Sequence, residues 1–170
     1  MIELLILHEL SKKVLTMYGI SKEIKSNFSV LTIPSYGTIK PALNRLEKLS
    51  CVKTQKTMSK GGRPSTYYSI TQDGKKYLKE LLLSPILENP IQFLSTARAK
   101  LICIEILTND EQLELFRLLK LKSEDIMLDA KNLQEKKDND FYSKMVFDNL
   151  ICEYKNFISL LEGFERACKN

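Results

Sequence analysis

Residues 34–49 read PSYGTIKPALNRLEKL. Ile39, Leu43, Leu46 and Leu49 recur at steps of four, three and three, which is one face of a helix, while Lys40, Asn44, Glu47 and Lys48 make the opposite face polar. Pro41 stands inside that pattern, four residues after Gly37. A proline in a helix body removes an amide donor and presses its ring on the carbonyl four residues back, at a cost of about 3 kcal/mol. Gly37 supplies that carbonyl and has no side chain, so the backbone there is free to tilt away from the ring. The expected element is a helix from near Ser35 to Leu49 whose first turn is irregular and whose remainder is regular.

The flanking segments set this helix in a unit. Upstream, residues 2–12 form an apolar helix on Ile2, Leu5, Ile6 and Leu10. Residues 17–26 form a second, with Tyr18, Ile20 and Ile24 apolar and Lys22 and Lys25 exposed. Downstream, residues 51–57 and 66–70 favour strand, with the cationic loop SKGGRPS between them. Thr71 then caps a helix through Leu82, with Asp73 in its first turn. Three helices followed by a basic β-hairpin make a winged helix-turn-helix, whose third helix enters the major groove and whose hairpin touches backbone or minor groove. The polar groups Ser35, Tyr36 and Thr38 stand at the end that meets DNA, where helix amides suit phosphate.

Charge follows the same division. Residues 1–82 hold 14 Lys and Arg against 6 Asp and Glu, and 83–170 hold 12 against 15, within a chain of net charge +5. A basic module joined to a mildly acidic one fits a polyanion-binding head on a body with another task. Pro85 and Pro90 bracket the expected hinge, residues 84–90, between a winged-helix domain at 1–83 and a helical dimerisation domain at 91–170. The fold class is mainly α with a small β-hairpin.

In the second half, Leu94, Ala97, Leu101, Ile104 and Leu107 lie on one side of a helix over 90–108. Thr108 or Asn109 caps a long helix that opens with Asp110 and Glu111 and runs toward Lys136 and Lys137; EKKDND at 135–140 reads as a turn. A last helix, 141–168, repeats Phe147, Leu150, Tyr154, Phe157, Leu161, Phe164 and Cys168 at steps of three and four. That is a coiled-coil-like seam, expected to pair with a partner copy, with intramolecular packing of the tail helices as the alternative.

Other chemistry finds little support. Cys51, Cys103, Cys152 and Cys168 are spread without a CxxC pair and His8 is the only histidine, so neither a zinc site nor a disulfide framework is expected, and the thiols read as small apolar residues. No GxSxG, P-loop or GxGxxG occurs, and the adjacent Glu124 and Asp125 point to different helix faces, so no catalytic residue and no cofactor is expected. No apolar run approaches the roughly 20 residues of a membrane span. MIELLILHEL does not resemble a secretory signal, and a cytoplasmic protein is expected.

PSYGTIKPALNRLEKLSCV resembles the recognition-helix signature of PadR-type transcriptional regulators, in which Ser, a small residue, an aliphatic, Tyr-Pro, Leu and Arg-Leu recur before an apolar strand. GGRPSTYYSITQDGKKYL is similar to that family's wing and following helix, and LTMYGISKEI to its second helix. The resemblance covers residues 1 to 82. Lys40 stands where the family usually has Tyr, and Met17 where a Gly often precedes the second-helix tyrosine, so base preference does not carry over. The resemblance implies a repressor that reads a pseudo-palindromic operator in double-stranded DNA as a homodimer, with half-sites roughly 34–36 Å apart or a multiple. It points to Tyr18, Ser35, Tyr36, Thr38, Lys40, Asn44 and Arg45 in the helix-turn-helix, joined by the exposed Lys22, and to Lys60, Gly61 and Arg63 in the wing. It also implies that some members release DNA on binding small aromatic effectors at the dimer interface; this chain has no Trp and no evident ligand constellation, and Phe93, Phe141 and Tyr142 could line a pocket, with core packing as the favoured alternative for each. The competing reading is a winged helix used as a protein-interaction module without specific DNA binding.

Overall fold

Helix α1, Ile2–Lys12, has every residue from Leu4 to Leu10 buried, so it is covered on all sides rather than on one stripe. It is a central element of the first of two units into which the chain divides, Met1–Ile106 and Leu107–Asn170. The computed structural model describes residues 1–58, 64–86, 90–136 and 140–169.

A two-residue strand β1, Leu15–Thr16, leads into α2, Met17–Phe28, where the Gly19 amide donates to Thr16 Oγ1 at 3.1 Å as an N-cap. Ile20, Ile24 and Phe28 are the buried side of α2. Helix α3, Tyr36–Lys48, buries Ile39, Ala42, Leu43 and Leu46. Leu49, expected on that apolar face, is instead exposed, because the helix stops there. Ser50 takes a left-handed φ of 57°, the Ser50 amide donates to Glu47 O and the Cys51 amide to Leu46 O, which together form a Schellman motif.

That reversal feeds the hairpin of β2, Val52–Met58, and β3, Pro64–Ile70, paired antiparallel from Val52 with Ile70 to Met58 with Pro64. β1 pairs with the other edge of β3, Leu15 opposite Tyr68, and makes a three-stranded sheet of order β1-β3-β2. Two residues are too few for a period-2 signal, so the sequence reading yields the hairpin without this third strand. Helix α4, Gln72–Leu83, begins as expected: the Gly74 amide donates to Thr71 Oγ1 at 3.0 Å, and Asp73 stands in the first turn.

The sequence division at 84–90 differs from the structural one. Helix α5, Pro90–Ile102, and a 3-10 turn, Ile104–Ile106, belong to the first unit. Phe93, Ala97 and Ala99 are fully buried, and the buried Lys100 ammonium donates to Leu82 O at 3.0 Å at the end of α4. The Lys100 bond ties α5 to the end of α4 across the proline-bracketed segment. The helix also ends earlier than 108.

His8 is 1 % exposed, meets Phe28 edge to face at 5.9 Å, and its Nδ1 has no hydrogen-bond partner. Burial lowers its pKa, with the Lys12 charge adding and Glu9 and Glu105 opposing. The folded state therefore keeps the imidazole neutral while the unfolded chain takes up a proton near the ordinary value of 6.5. Stability present above that value is lost as pH falls through it toward the lowered folded-state pKa. Thermal unfolding between pH 7 and 5 is expected to show a falling Tm in the wild type and a flatter profile in His8→Phe.

The second unit is a hairpin of α6, Asn109–Lys136, and α7, Phe141–Lys169. Thr108 decides the expected cap: its amide donates to Glu111 Oε2 at 2.8 Å, and the Glu111 amide returns a bond to Thr108 Oγ1, a capping box. Cys168 Sγ on Gln112 Oε1, the Phe116–Phe164 ring pair, Lys120 on Glu162 and Gln134 on Asp148 fix an antiparallel register. Of the cysteines, Cys51 and Cys103 are buried, with the Cys103 thiol pushed up to about 12 by burial, but Cys152 is exposed and departs from the expected buried thiol. Among the described residues no helix is long and apolar enough to cross a membrane.

Candidate nucleic-acid interface

Opposite the buried face of α3, Gly37, Pro41, Asn44 and Lys48 follow at steps of four, three and four and are all exposed. Tyr36 and Lys40 flank this stripe on one side, Thr38 and Arg45 on the other, and all four are exposed. Pro41 is thus on the outer surface. The missing amide leaves Gly37 O without its intrahelical donor where solvent reaches it, and α3 runs on to Lys48. The first turn is tight, since the amides of both Thr38 and Ile39 donate to Ser35 O at 3.0 Å. Ser35 makes no side-chain cap bond; its Oγ lies 3.2 Å from Thr38 Oγ1. The opening amides of α3 therefore have no acceptor from the Ser35 side chain, and a helix start of this kind suits an anionic oxygen.

Tyr18, 67 % exposed, and Lys22 stand one turn apart on α2, both free of the core. Lys60, Gly61 and Arg63 lie outside the described residues. Arg45 differs from its neighbours on α3. Its Nε donates to Glu3 Oε1 at 2.7 Å, an ion pair that ties α3 to α1. Lys48 is absent from the sequence-derived set, although its place four residues after Asn44 is readable from the helical period.

The residues expected at a dimer seam are arranged otherwise. Tyr154, Phe157 and Leu161 are buried, Phe147 and Leu150 half-buried, and the exposed Phe164 sits 5.7 Å from Phe116 of α6. The seam is occupied inside one chain, by α6, which is the intramolecular alternative. Of the effector candidates, Phe93 is fully buried, while Phe141 and Tyr142 are exposed and pack edge to face on each other at 5.6 Å.

The model of the transcriptional regulator PadR-like family matches residues 6–80. Those residues run from α1 into α4 and include every predicted DNA-facing position. The chain belongs to this family. Among solved structures, a PadR family transcription regulator from hypervirulent Clostridium difficile R20291 is 31 % identical over 46 % of this chain and 80 % of its own, with a TM-score of 0.42. A transcriptional regulator from Clostridium thermocellum is 32 % identical over 46 % of this chain and 75 % of its own, with a TM-score of 0.42. Bacillus subtilis PadR in complex with operator DNA is 23 % identical over 98 % of both chains, with a TM-score of 0.46. No curated protein matches the sequence significantly. The protein is thus a transcriptional regulator of the PadR-like family with a winged-helix fold.

Proposed function

We propose that this PadR-like regulator binds double-stranded DNA sequence-specifically, as a homodimer on a pseudo-palindromic operator, and represses transcription. The observation that carries the reading is the outer face of α3: Tyr36, Lys40, Asn44 and Lys48 are polar and exposed on the helix that the winged-helix fold presents to the major groove. Lys40, Lys48 and Lys22 supply phosphate contacts, with Lys60, Gly61 and Arg63 of the wing adding sequence-independent affinity. Tyr36 and Asn44 supply choice between sequences, Asn in particular matching the N6 and N7 edge of adenine.

Dimerisation through residues 107–169 is supported by apolar side chains that the hairpin leaves exposed: Leu121 and Leu128, seven residues apart on α6, and Phe141, Tyr142, Met145 and Val146 on α7. Release by a small aromatic effector belongs to the same reading, and adding such compounds to the preformed complex tests it.

Footprinting on the DNA just upstream of the protein's own coding region is the direct test, with titrations at several salt concentrations. Tyr36→Ala or Asn44→Ala is expected to lower discrimination between operator and random duplex by about 1–3 kcal/mol while random binding changes less. Equal losses on both duplexes would make these residues backbone contacts. A chain that binds no duplex in a salt-dependent way would instead be a winged-helix protein-interaction module.

A further inference from the structure

Glu3 is a carboxylate with a task in three helices. It stands in the first turn of α1, where a negative charge is favoured by the helix dipole. Its Oε1 accepts from Arg45 Nε of α3 at 2.7 Å, and its Oε2 accepts from the Tyr77 hydroxyl of α4 at 3.3 Å. The Glu3 side chain is only 18 % exposed and that of Arg45 56 %. The Arg45 bond is open to solvent, and what fixes the carboxylate is its second, part-buried bond to Tyr77: with one oxygen held by α4, the other is presented to Arg45 in a set direction.

The direction of the restraint matters. Arg45 follows Asn44 directly and so stands about 100° around α3 from it. A side chain held at the flank of a helix fixes the roll of the helix about its own axis. Recognition geometry tolerates only about 10–20° of error before directed hydrogen bonds are lost, so freedom of roll at Arg45 is felt at Asn44 and Tyr36. We propose that Glu3 and Arg45 form a positioning latch for the recognition helix, setting operator choice through the roll of α3 without contact between Arg45 and DNA. The proposal rests on the DNA-binding reading above and goes beyond it, because it removes Arg45 from the contact set and gives Glu3 a role that no motif signals.

The two roles open to Arg45 predict opposite signs for Glu3. If Arg45 met phosphate, Glu3 would restrain and repel, and removing its charge would raise affinity for every duplex. If the pair is a latch, removing either charge loosens α3 and lowers discrimination alone. The test uses the full chain and two probes, a duplex pool enriched from random sequence by the wild type and a scrambled duplex of the same composition. For Glu3→Gln and for Arg45→Gln, the ratio of the two affinities is expected to fall about tenfold, with scrambled-duplex affinity and salt slope unchanged. The exchange Glu3→Arg with Arg45→Glu is expected to restore the ratio to within about threefold of wild type. Tyr77→Phe, which removes the second anchor and little else, is expected to lower the ratio about threefold and guards against misfolding of the exchange variant. Melting by circular dichroism verifies that each variant is folded. Higher affinity of Glu3→Gln for both duplexes, with a salt slope about one unit smaller in Arg45→Gln, would overturn the latch and return Arg45 to the phosphate contacts. Unchanged ratios in folded single variants would overturn it as well. A wild type that enriches no sequence at all would mark failure of the DNA-binding reading itself, and the latch would fall with it.

Discussion

Gly74→Ala is expected to lower the stability of the winged unit by about 3 kcal/mol or more, beyond the usual range for a single overpacked methyl. A Cβ at this position would lie 2.0 Å from Cys51 O and 2.8 Å from Ile70 Cγ1. The backbone oxygen of Cys51 is not free to retreat. Cys51 O accepts the Thr71 amide at 3.0 Å, Thr71 Oγ1 donates to Ser50 O at 2.7 Å, and the Gly74 amide donates to Thr71 Oγ1. This junction joins the start of β2 to the start of α4, so strain there reaches the base of the hairpin as well as the helix. Urea or thermal unfolding measures the effect, and Gly37→Ala is the internal control. There a Cβ would meet only Ser35 Oγ at 3.5 Å and the backbone is ordinary helix, so no clash arises and stability should hold or rise by up to about 1 kcal/mol, which also shows that the tilt around Pro41 does not need a glycine. A Gly74→Ala midpoint equal to wild type would show the junction to be looser than these distances require.

The contrast between these two glycines separates what the sequence shows from what only packing shows. The TQDG run at 71–74 signals a helix start through its Thr cap and acidic first turn. It carries no trace of Cys51 O, which arrives from a different element. The same holds for Arg45. Its place on the polar side of α3 reads as a DNA contact, and Glu3, 42 residues earlier, is invisible to any local pattern. Elements with strong period or punctuation were legible: α3 from its apolar steps, β2 and β3 from their strand-favouring runs, and α4 from Thr71. Helix α1 was legible only as to type, since burial of Leu4 to Leu10 leaves no polar face to set its orientation. The period of α7 likewise tells which face is covered and not what covers it. The matching stripe on α6, Phe116, Leu119, Ser123, Ile126 and Ala130, has the same steps of three and four, with Leu115 buried beside it, and identifies an intramolecular partner once the two helices are seen antiparallel.

Intramolecular packing of α7 on α6 decides the expected result of charging the seam. Tyr154 is 1 % exposed and Leu161 is fully buried within one chain. Tyr154→Glu with Leu161→Glu would place two carboxylates between α6 and α7 with no cation on the buried stripe of α6 to pair with, while also removing two large apolar side chains. Each unpaired buried charge costs several kcal/mol, and a unit of two helices has little stability to lose. The hairpin, rather than the dimer contact alone, is expected to fail: far-UV circular dichroism should show lost helicity, and limited proteolysis should cut within 107–169 first. Leu121→Glu with Leu128→Glu changes exposed positions on α6 and should leave helicity intact while shifting sedimentation from dimer to monomer. Operator affinity should collapse in both variants, since one half-site supplies only part of the contact energy, while weak binding to random DNA survives through residues 1–83. A Tyr154→Glu, Leu161→Glu protein that stayed fully helical and monomeric would return the seam to the dimer interface. A Leu121→Glu, Leu128→Glu protein that stayed dimeric would move the interface to the exposed apolar start of α7, at Phe141, Tyr142, Met145 and Val146.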